Sequence, residues 1–361
     1  MKTLLTLTCL SIVFLGSFRS VAAQDIHLVP AEEKDTSSQV MYRLPNDATG
    51  FYAGIDFLLW KVNENGNDFA IKRTTPVNPA IGSGLLGKFY EGEFEWQPGV
   101  RPWVGYQFKP DHWKIEGVYT YYQTGKSTRV NQPEAAITNT DLASLNATLN
   151  GDLGNATATA RSSTNFIYNA GDLTLKKLFQ ISPYFYLTFQ AGLKGLWVRQ
   201  HWHVTYRDVL NNIGKHREFW KYYGAGPRIG LETEWYLGKG FSFEFMGAAA
   251  FLYGEKTQKQ KYTLFLVDSG VVGTFPFQDF NLSKNTTLPT TELKASIRWG
   301  RVFMDFLEFN IHAGYEIQGI YNINEDYRFI ADVNPIDEKA HTYRQTSVFM
   351  QGLFVGIDMH F

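Results

Sequence analysis

Residues 347–361 read SVFMQGLFVGIDMHF. Phe349, Leu353, Val355, Ile357, Met359 and Phe361 share one parity, interrupted only by Gln351. Met350, Gly352, Phe354, Gly356, Asp358 and His360 share the other. Successive side chains of a β-strand point to opposite faces. The segment is therefore a strand with one apolar face and one face of small, polar and mixed residues, and it carries no helical period.

The same two-residue period recurs upstream. In FYAGIDFLLW, Phe51, Ala53, Ile55, Phe57 and Leu59 oppose Gly54 and Asp56. Trp96, Val100, Val104, Tyr106 and Phe108 oppose Gly99, Arg101, Trp103, Gly105 and Gln107. Further segments start at Trp113, Phe185, Tyr223, Phe241, Leu293 and Leu307, and a less regular one runs near Phe166–Phe179. The reading is ten strands, or twelve if residues 140–160 or 257–278 form another hairpin.

Composition narrows the class. Of 361 residues, 19% are charged and the formal net charge is −1, without the basic field of a nucleic-acid binder. Aromatic residues make up 16% and glycines number 32, which suits a β-rich chain. At the N-terminus, Lys2 precedes an uncharged, mostly apolar run from Leu4 to Leu15, and Val21-Ala22-Ala23 supplies small residues before Gln24. This is the pattern of a secretory signal peptide over residues 1–23, with an apolar run too short to be a membrane anchor. Its removal takes Lys+Arg from 34 to 32 against 35 Asp+Glu, a charge of −3, and takes the single cysteine, Cys9. Disulfide and thiol chemistry are then excluded. Residues 24–50, with Pro30, Pro45 and an EEKD cluster, read as a flexible periplasmic segment, and 51–361 as one β domain.

After the signal no uncharged apolar run approaches the ~20 residues of a membrane helix. Only helices and closed barrels satisfy their backbone in lipid, so a membrane reading requires a barrel. Three features favour it over a soluble sandwich. The polar parity mixes glycine with Lys, Arg and Glu, as a wet lumen does. The apolar stretches start or stop on aromatic residues, with Trp96, Trp113, Trp235 and Trp299 as girdle candidates. Very short links (109–112, 181–183, 238–240, near Met304-Asp305) alternate with long polar ones (about 65–88, 127–161, 257–289, 321–342). That is the bacterial outer-membrane pattern of short periplasmic turns and long extracellular loops. The expected fold is an all-β, antiparallel up-and-down transmembrane barrel in the bacterial outer membrane. Its C-terminal strand closes the sheet, and Phe361 at the periplasmic rim would be the assembly signal read by the barrel-insertion machinery. The expected partners are outer-membrane lipid and lipopolysaccharide; a homo-oligomer stays open and nucleic acid is excluded.

The stretches FYAGIDFLLWKVNENGNDFA (51–70) and EFEWQPGVRPWVGYQFKPDHWKIEGVYTYYQT (93–124) resemble the pore-forming major-outer-membrane-protein-like family of Legionella and the environmental chlamydiae. The resemblance rests on the DFLLWK first strand and the PGVR…GYQF…W hairpin, and the later strands are compatible with it. It implies a porin or an adhesin-like surface protein. The chlamydial major porin is cysteine-rich and cross-linked, whereas the mature chain here has no cysteine, so a disulfide-bonded envelope network is not implied.

No Walker loop, CxxC, HExxH or GxSxG occurs, and no cofactor or catalytic residue is expected. His201 and His203 share a strand face without a third metal ligand at suitable spacing, and read as part of an aromatic rim rather than a metal site. Asp208 with His216 or His203 is the weak constellation that a rim protease would use. The weight falls on charges of the polar parity as pore-lining candidates: Arg101, Lys114, Glu116, Lys194, Arg228, Glu244, Lys294, Arg298, Glu308 and Glu316. In a porin such groups line a constriction and set ion preference; in a small filled barrel they pair and block flow. Ten strands give a narrow lumen. The reading is an outer-membrane porin for passive diffusion of small hydrophilic solutes and ions. The alternative is a surface-exposed structural or adhesin barrel with a plugged lumen that binds a host or partner through its long loops.

Overall fold

The computed structural model describes residues 49–64, 66–73, 87–108, 113–132, 142–144, 157–266, 273–303, 307–329 and 341–361. The expected signal peptide, the segment up to residue 48, the 109–112 turn and the link at Met304-Asp305 lie outside the described residues. In chain order the strands are β1 (Gly50–Glu64), β2 (Asp68–Arg73), β3 (Gly87–Glu91), β4 (Gln97–Gln107), β5 (Trp113–Asn131), β6 (Leu142–Ser144), β7 (Thr157–Ser182), β8 (Phe185–Asp208), β9 (Ile213–Gly238), β10 (Phe241–Leu266), β11 (Gly273–Phe303), β12 (Leu307–Phe329) and β13 (His341–His360).

Ten of these close a barrel in the order β1-β13-β12-β11-β10-β9-β8-β7-β5-β4, every neighbouring pair antiparallel. Closure joins β1 to β13 from Tyr52↔His360 to Glu64↔Val348. Closing the ring removes the exposed sheet edge that lipid does not tolerate. The β1–β4 pair shows how the DFLLWK and PGVR motifs fit. Tyr52 lies across Gly105 and Trp103 across Gly54, where an added Cβ would fall 2.2 and 2.4 Å from the facing ring. Each inward aromatic thus needs the facing glycine. At the β9–β10 turn, Lys239 and Gly240 take φ of +52° and +91°, the mirror-image turn geometry that matches strand twist.

The outward parity is apolar over a limited height. On β10 the exposed apolar residues run from Phe241 to Tyr253. At ~3.4 Å per residue and a tilt near 40°, this is about 30 Å of height, a hydrocarbon core plus its interfaces. Yet β7, β9 and β10 have 26 residues each and β11 has 31, against the ~10 needed to cross. The upper half of the barrel therefore stands above the membrane. This corrects the expected loops at 127–161, 257–289 and 321–342: most of 257–289, about half of 321–342 and the two ends of 127–161 continue the flanking strands, because antiparallel pairing does not stop at the lipid surface (Thr257↔Lys221 and Lys259↔Asn281, for example). The described parts of 140–160 and 257–278 add no barrel strand: β6 pairs with β2, and β10 and β11 pair directly.

Part of the 65–88 link is also ordered. β2, β3 and β6 form a small sheet, order β3-β2-β6. Phe69, Ala70 and Leu142 from it pack into one cluster with Trp202, Val204, Tyr206, Tyr262 and Leu264 of the barrel wall. The Tyr206 hydroxyl donates to the Phe69 carbonyl at 2.6 Å. The sheet thus caps the upper lumen from within.

Candidate functional site: the barrel interior

The interior is stacked in storeys, beginning on the periplasmic side with a charged chamber. Nine of the ten sequence-selected charges line one cavity of about 200 Å³. They do so because their parity faces inward on β4, β5 and β8–β12. Glu308 is the exception: it shares the parity and pairs in register with His360 at the periplasmic end of β12, but does not line that cavity.

The chamber charges reach across the lumen to one another. Arg101 on β4 donates to both carboxylate oxygens of Glu316 on β12 (3.0 and 2.8 Å) and to Asp56 on β1 (3.2 Å). Lys194 on β8 pairs with Glu292 on β11 and, at 3.4 Å, with Asp172 on β7. Arg228 meets Glu292 at 2.8 Å. Lys176 meets Glu116 at 2.8 Å. Arg298 bridges Glu244 (3.2 Å) and Asp358 (2.8 Å), and His312 lies between Asp56 (2.7 Å) and Asp358 (3.3 Å). Lys294 lies 3.5 Å from Asp56, and Lys114 sits 5.7 Å over the Tyr52 ring. Bidentate and charge-assisted bonds of this kind are the strong ones, and the low-dielectric setting makes an unpaired member costly. Asp56, Asp172, Lys176, Glu292, His312 and Asp358 were not among the selected candidates. All have the inward parity, so the signal that finds them is the one already used.

The next storey is apolar. Leu58, Trp60, Val62, Tyr122, Phe166, Tyr168, Leu196, Trp220, Leu252, Ile320 and Met350 belong to one buried cluster to which nine of the ten barrel strands contribute. Phe94, just before β4, fills the remaining sector. Trp60 packs against Tyr122 and Tyr168, with ring centroids 5.4 and 6.1 Å apart. This layer is tied to the chamber: Trp60 Nε1 donates to Glu316 (2.9 Å) and the Tyr168 hydroxyl to Gln318 (2.9 Å).

Above it is a buried polar storey. Glu64 accepts bonds from the side-chain amides of Asn67 (2.7 Å), Gln200 (2.6 Å) and Asn324 (3.1 Å). Burial, with the amide donors opposing it, pushes the Glu64 carboxyl up to about 7. Lys256 pairs with Glu325 at 3.2 Å beside it. The capped apolar cluster completes the stack.

The remaining sequence-selected residues fall outside the lumen. Trp113, Trp235 and Trp299 face outward near the periplasmic ends of their strands, and Trp96 near the outer boundary. The outer ring is completed by Trp197, Tyr121, Tyr223 and Tyr253, all exposed. The Phe361 side chain is exposed at the periplasmic rim, and its backbone N–H donates to the Phe51 carbonyl at 2.9 Å. His201 and His203 point outward above the outer ring, ring centroids 6.4 Å apart, while Trp202 between them points in and donates to Ser162 (2.8 Å). Among the described residues no three His, Cys, Asp or Glu gather as a metal site. Asp208 is occupied with its own turn: its carboxylate accepts from the N–H groups of Leu210 (2.9 Å) and Asn212 (2.7 Å) and from the Asn212 amide (2.8 Å).

A closed antiparallel barrel with an outward apolar band between aromatic rings and a polar lumen floor defines a bacterial outer-membrane β-barrel protein. Residues 43–361 match the family described as Legionella pneumophila major outer membrane protein precursor, and the chain belongs to that family. No curated protein matches it. Similar solved structures include the outer membrane protease OmpT from Escherichia coli, 10% identical over 88% of this chain and 97% of that one, TM-score 0.37. The toluene transporter TodX from Pseudomonas putida is 10% identical over 87% of this chain and 90% of that one, TM-score 0.31. The CymD monoaromatic hydrocarbon channel is 8% identical over 88% of this chain and 90% of that one, TM-score 0.30.

Proposed function

We propose that this outer-membrane protein is a closed barrel that acts through its extracellular half, as a surface structural or partner-binding protein. The observation that carries this reading is the apolar storey: side chains from nine barrel strands meet across the lumen in one buried cluster. A water-filled path has no polar surface to follow there, and a dry aromatic constriction stops ions by dewetting. The paired chamber beneath and the inward cap above support the same reading. Neither this reading nor the next gives any residue covalent chemistry.

The charged cavity favours a second reading, the passive diffusion pore for small hydrophilic solutes and ions expected from the sequence. It requires the apolar storey to open. Single-channel conductance of the refolded mature protein in a planar bilayer separates the two. On the closed reading the wild type inserts without discrete steps, whereas Trp60→Ala combined with Tyr122→Ala conducts. Discrete ohmic steps from the wild type, with ion selectivity moved by Arg101→Ala and Glu116→Ala, would replace the closed reading with the pore.

A further inference from the structure

Above the outer aromatic ring, one side of the barrel's outer wall turns basic. Three cross-strand positions on the outward face of β5 and β7–β10 set like charges directly opposite each other: Arg129↔Arg161, Arg199↔Lys221 and Arg217↔Lys261. Directly opposed like charges destabilise a sheet. Among the described residues, only Lys261 of the six has an acidic partner within 4 Å, Asp279 at 3.2 Å; exposed Glu255 acts on Lys221 from farther away. By contrast, the described outward positions of β11–β13 at this height bear no Lys or Arg: they include Asn281, Ser283 and Asn285 on β11 and Gln345 and Ser347 on β13. The basic field therefore runs over β5 and β7–β10 and is absent from the described outward positions of β11–β13 at this height.

Its height defines its occupant. Arg199 and Lys221 are two residues above Trp197 and Tyr223, about 7 Å along the strand, where an outer-leaflet lipid changes from acyl chain to headgroup. Arg217 and Arg161 lie several residues higher, at the depth of a thick phosphorylated headgroup. Apolar side chains continue directly below, with Leu193, Trp197 and Ile229 all at least half exposed. A ligand that matches both halves has acyl chains, then phosphate, then further anionic sugar.

We propose that this face is a docking surface for lipopolysaccharide, whose phosphates are held by Arg199, Lys221, Arg217 and Arg161 while its acyl chains lie on the aromatic ring below. Bound phosphate removes the like-charge repulsion, and arginine engages phosphate in bidentate fashion. This inference is independent of whether the lumen conducts.

The test is lipid binding by the refolded mature protein in detergent, read by native mass spectrometry, with purified rough lipopolysaccharide and its chemically dephosphorylated form. The wild type should bind the phosphorylated form at least tenfold more tightly, and added salt should weaken binding. Arg199→Gln combined with Arg217→Gln should erase that preference, while Lys61→Gln on β1 leaves it intact. Heat-modifiable gel mobility certifies that each variant is folded, and Arg199→Lys combined with Arg217→Lys should restore much of the binding. Equal binding of the two lipid forms by the wild type, or unchanged binding by the folded double glutamine variant, would overturn the proposal. So would phosphatidylglycerol or inorganic phosphate competing as well as lipopolysaccharide, which would mark a nonspecific anion surface.

Discussion

Strand β8 holds two opposite proteins on one parity. From Phe185 to Trp197 its outward residues are apolar, and its inward ones include Gln190 and the chamber lysine Lys194. From Arg199 to Arg207 the outward residues are Arg, His, His, Thr and Arg, and the inward ones are Trp202, Val204 and Tyr206, with Gln200 among them. The alternation never slips; its chemistry inverts over residues 195–198. Below the inversion the solvent outside is lipid, so apolar groups face out and the interior is left to the charges. Above it the solvent is water, and the strand obeys the rule of a soluble domain, with an apolar core inside. One pleat thus serves two solvents, and each half is held together by the forces that its surroundings leave available.

If the lower half relies on paired charge, its largest single vulnerability is Arg101. Arg101→Ala removes the cation shared by Glu316 and Asp56. Glu316, 3% exposed, then keeps only the Trp60 N–H among these partners. Stranding one member of a buried ion pair costs about 3–5 kcal/mol, to be read as a lower urea midpoint for unfolding from lipid vesicles. Replacing both sides together, Arg101→Met with Glu316→Leu, should recover most of that loss, since no charge is left unpaired. A double variant as unstable as the single one would mean that Arg101 acts by packing on Trp60, whose ring lies 5.4 Å from the guanidinium.

The inversion is tested most directly by one substitution placed twice on the outward face of β8. Leu193, 60% exposed, lies within the apolar band. Leu193→Lys should cost about 2–4 kcal/mol if that position is at mid-membrane. Thr205→Lys, twelve residues up the same face and in register with Arg161 and Lys215, should cost only surface like-charge repulsion, less than about 1 kcal/mol. Equal penalties would erase the boundary between the halves.

The boundary also explains what the sequence made legible. Where the outward face is apolar, the alternation identifies strands, and each expected segment of this kind lies in the barrel. Parity alone then selected nine inward charges that line one cavity. The upper halves of β10, β11 and β12 read as loops because Lys, Gln, Asn, Ser and Thr dominate there (KTQKQK at 256–261, NLSKNTT at 281–287). Nothing local favours a strand in such stretches; the register inherited from the neighbouring strands holds them. β2 is hidden for another reason: its six residues pair with strands of five and three residues that are distant in sequence. The apolar storey was missed because alternate inward residues on both sides of the inversion were read as one lumen. Trp60 and Tyr122 end the apolar stretches FYAGIDFLLW and WKIEGVYTYY, where an aromatic looks like a girdle residue until its parity is followed inward.

The smallest expected effect concerns the upper half, where an acid is buried among apolar layers. A carboxyl held at about 7 in the folded protein, against 4.5 in the unfolded chain, favours its neutral form. The resulting penalty on folding is absent below the unfolded value, grows as pH rises from about 4.5 to 7, and is complete above that. Unlike the lower chamber, whose carboxylates face paired cations, this storey should therefore lose stability as the pH rises. At about 1.4 kcal/mol per pH unit of displacement, the upper bound is about 3.5 kcal/mol, and relaxation of the surrounding amides reduces it. Glu64→Gln should flatten the stability profile between pH 5 and 8, leaving the acid-side stability near that of the wild type. A profile unchanged by Glu64→Gln would mean that the amides of Asn67, Gln200 and Asn324 hold the ionised form in place, and that the upper core tolerates a bare carboxylate as the lower one does not.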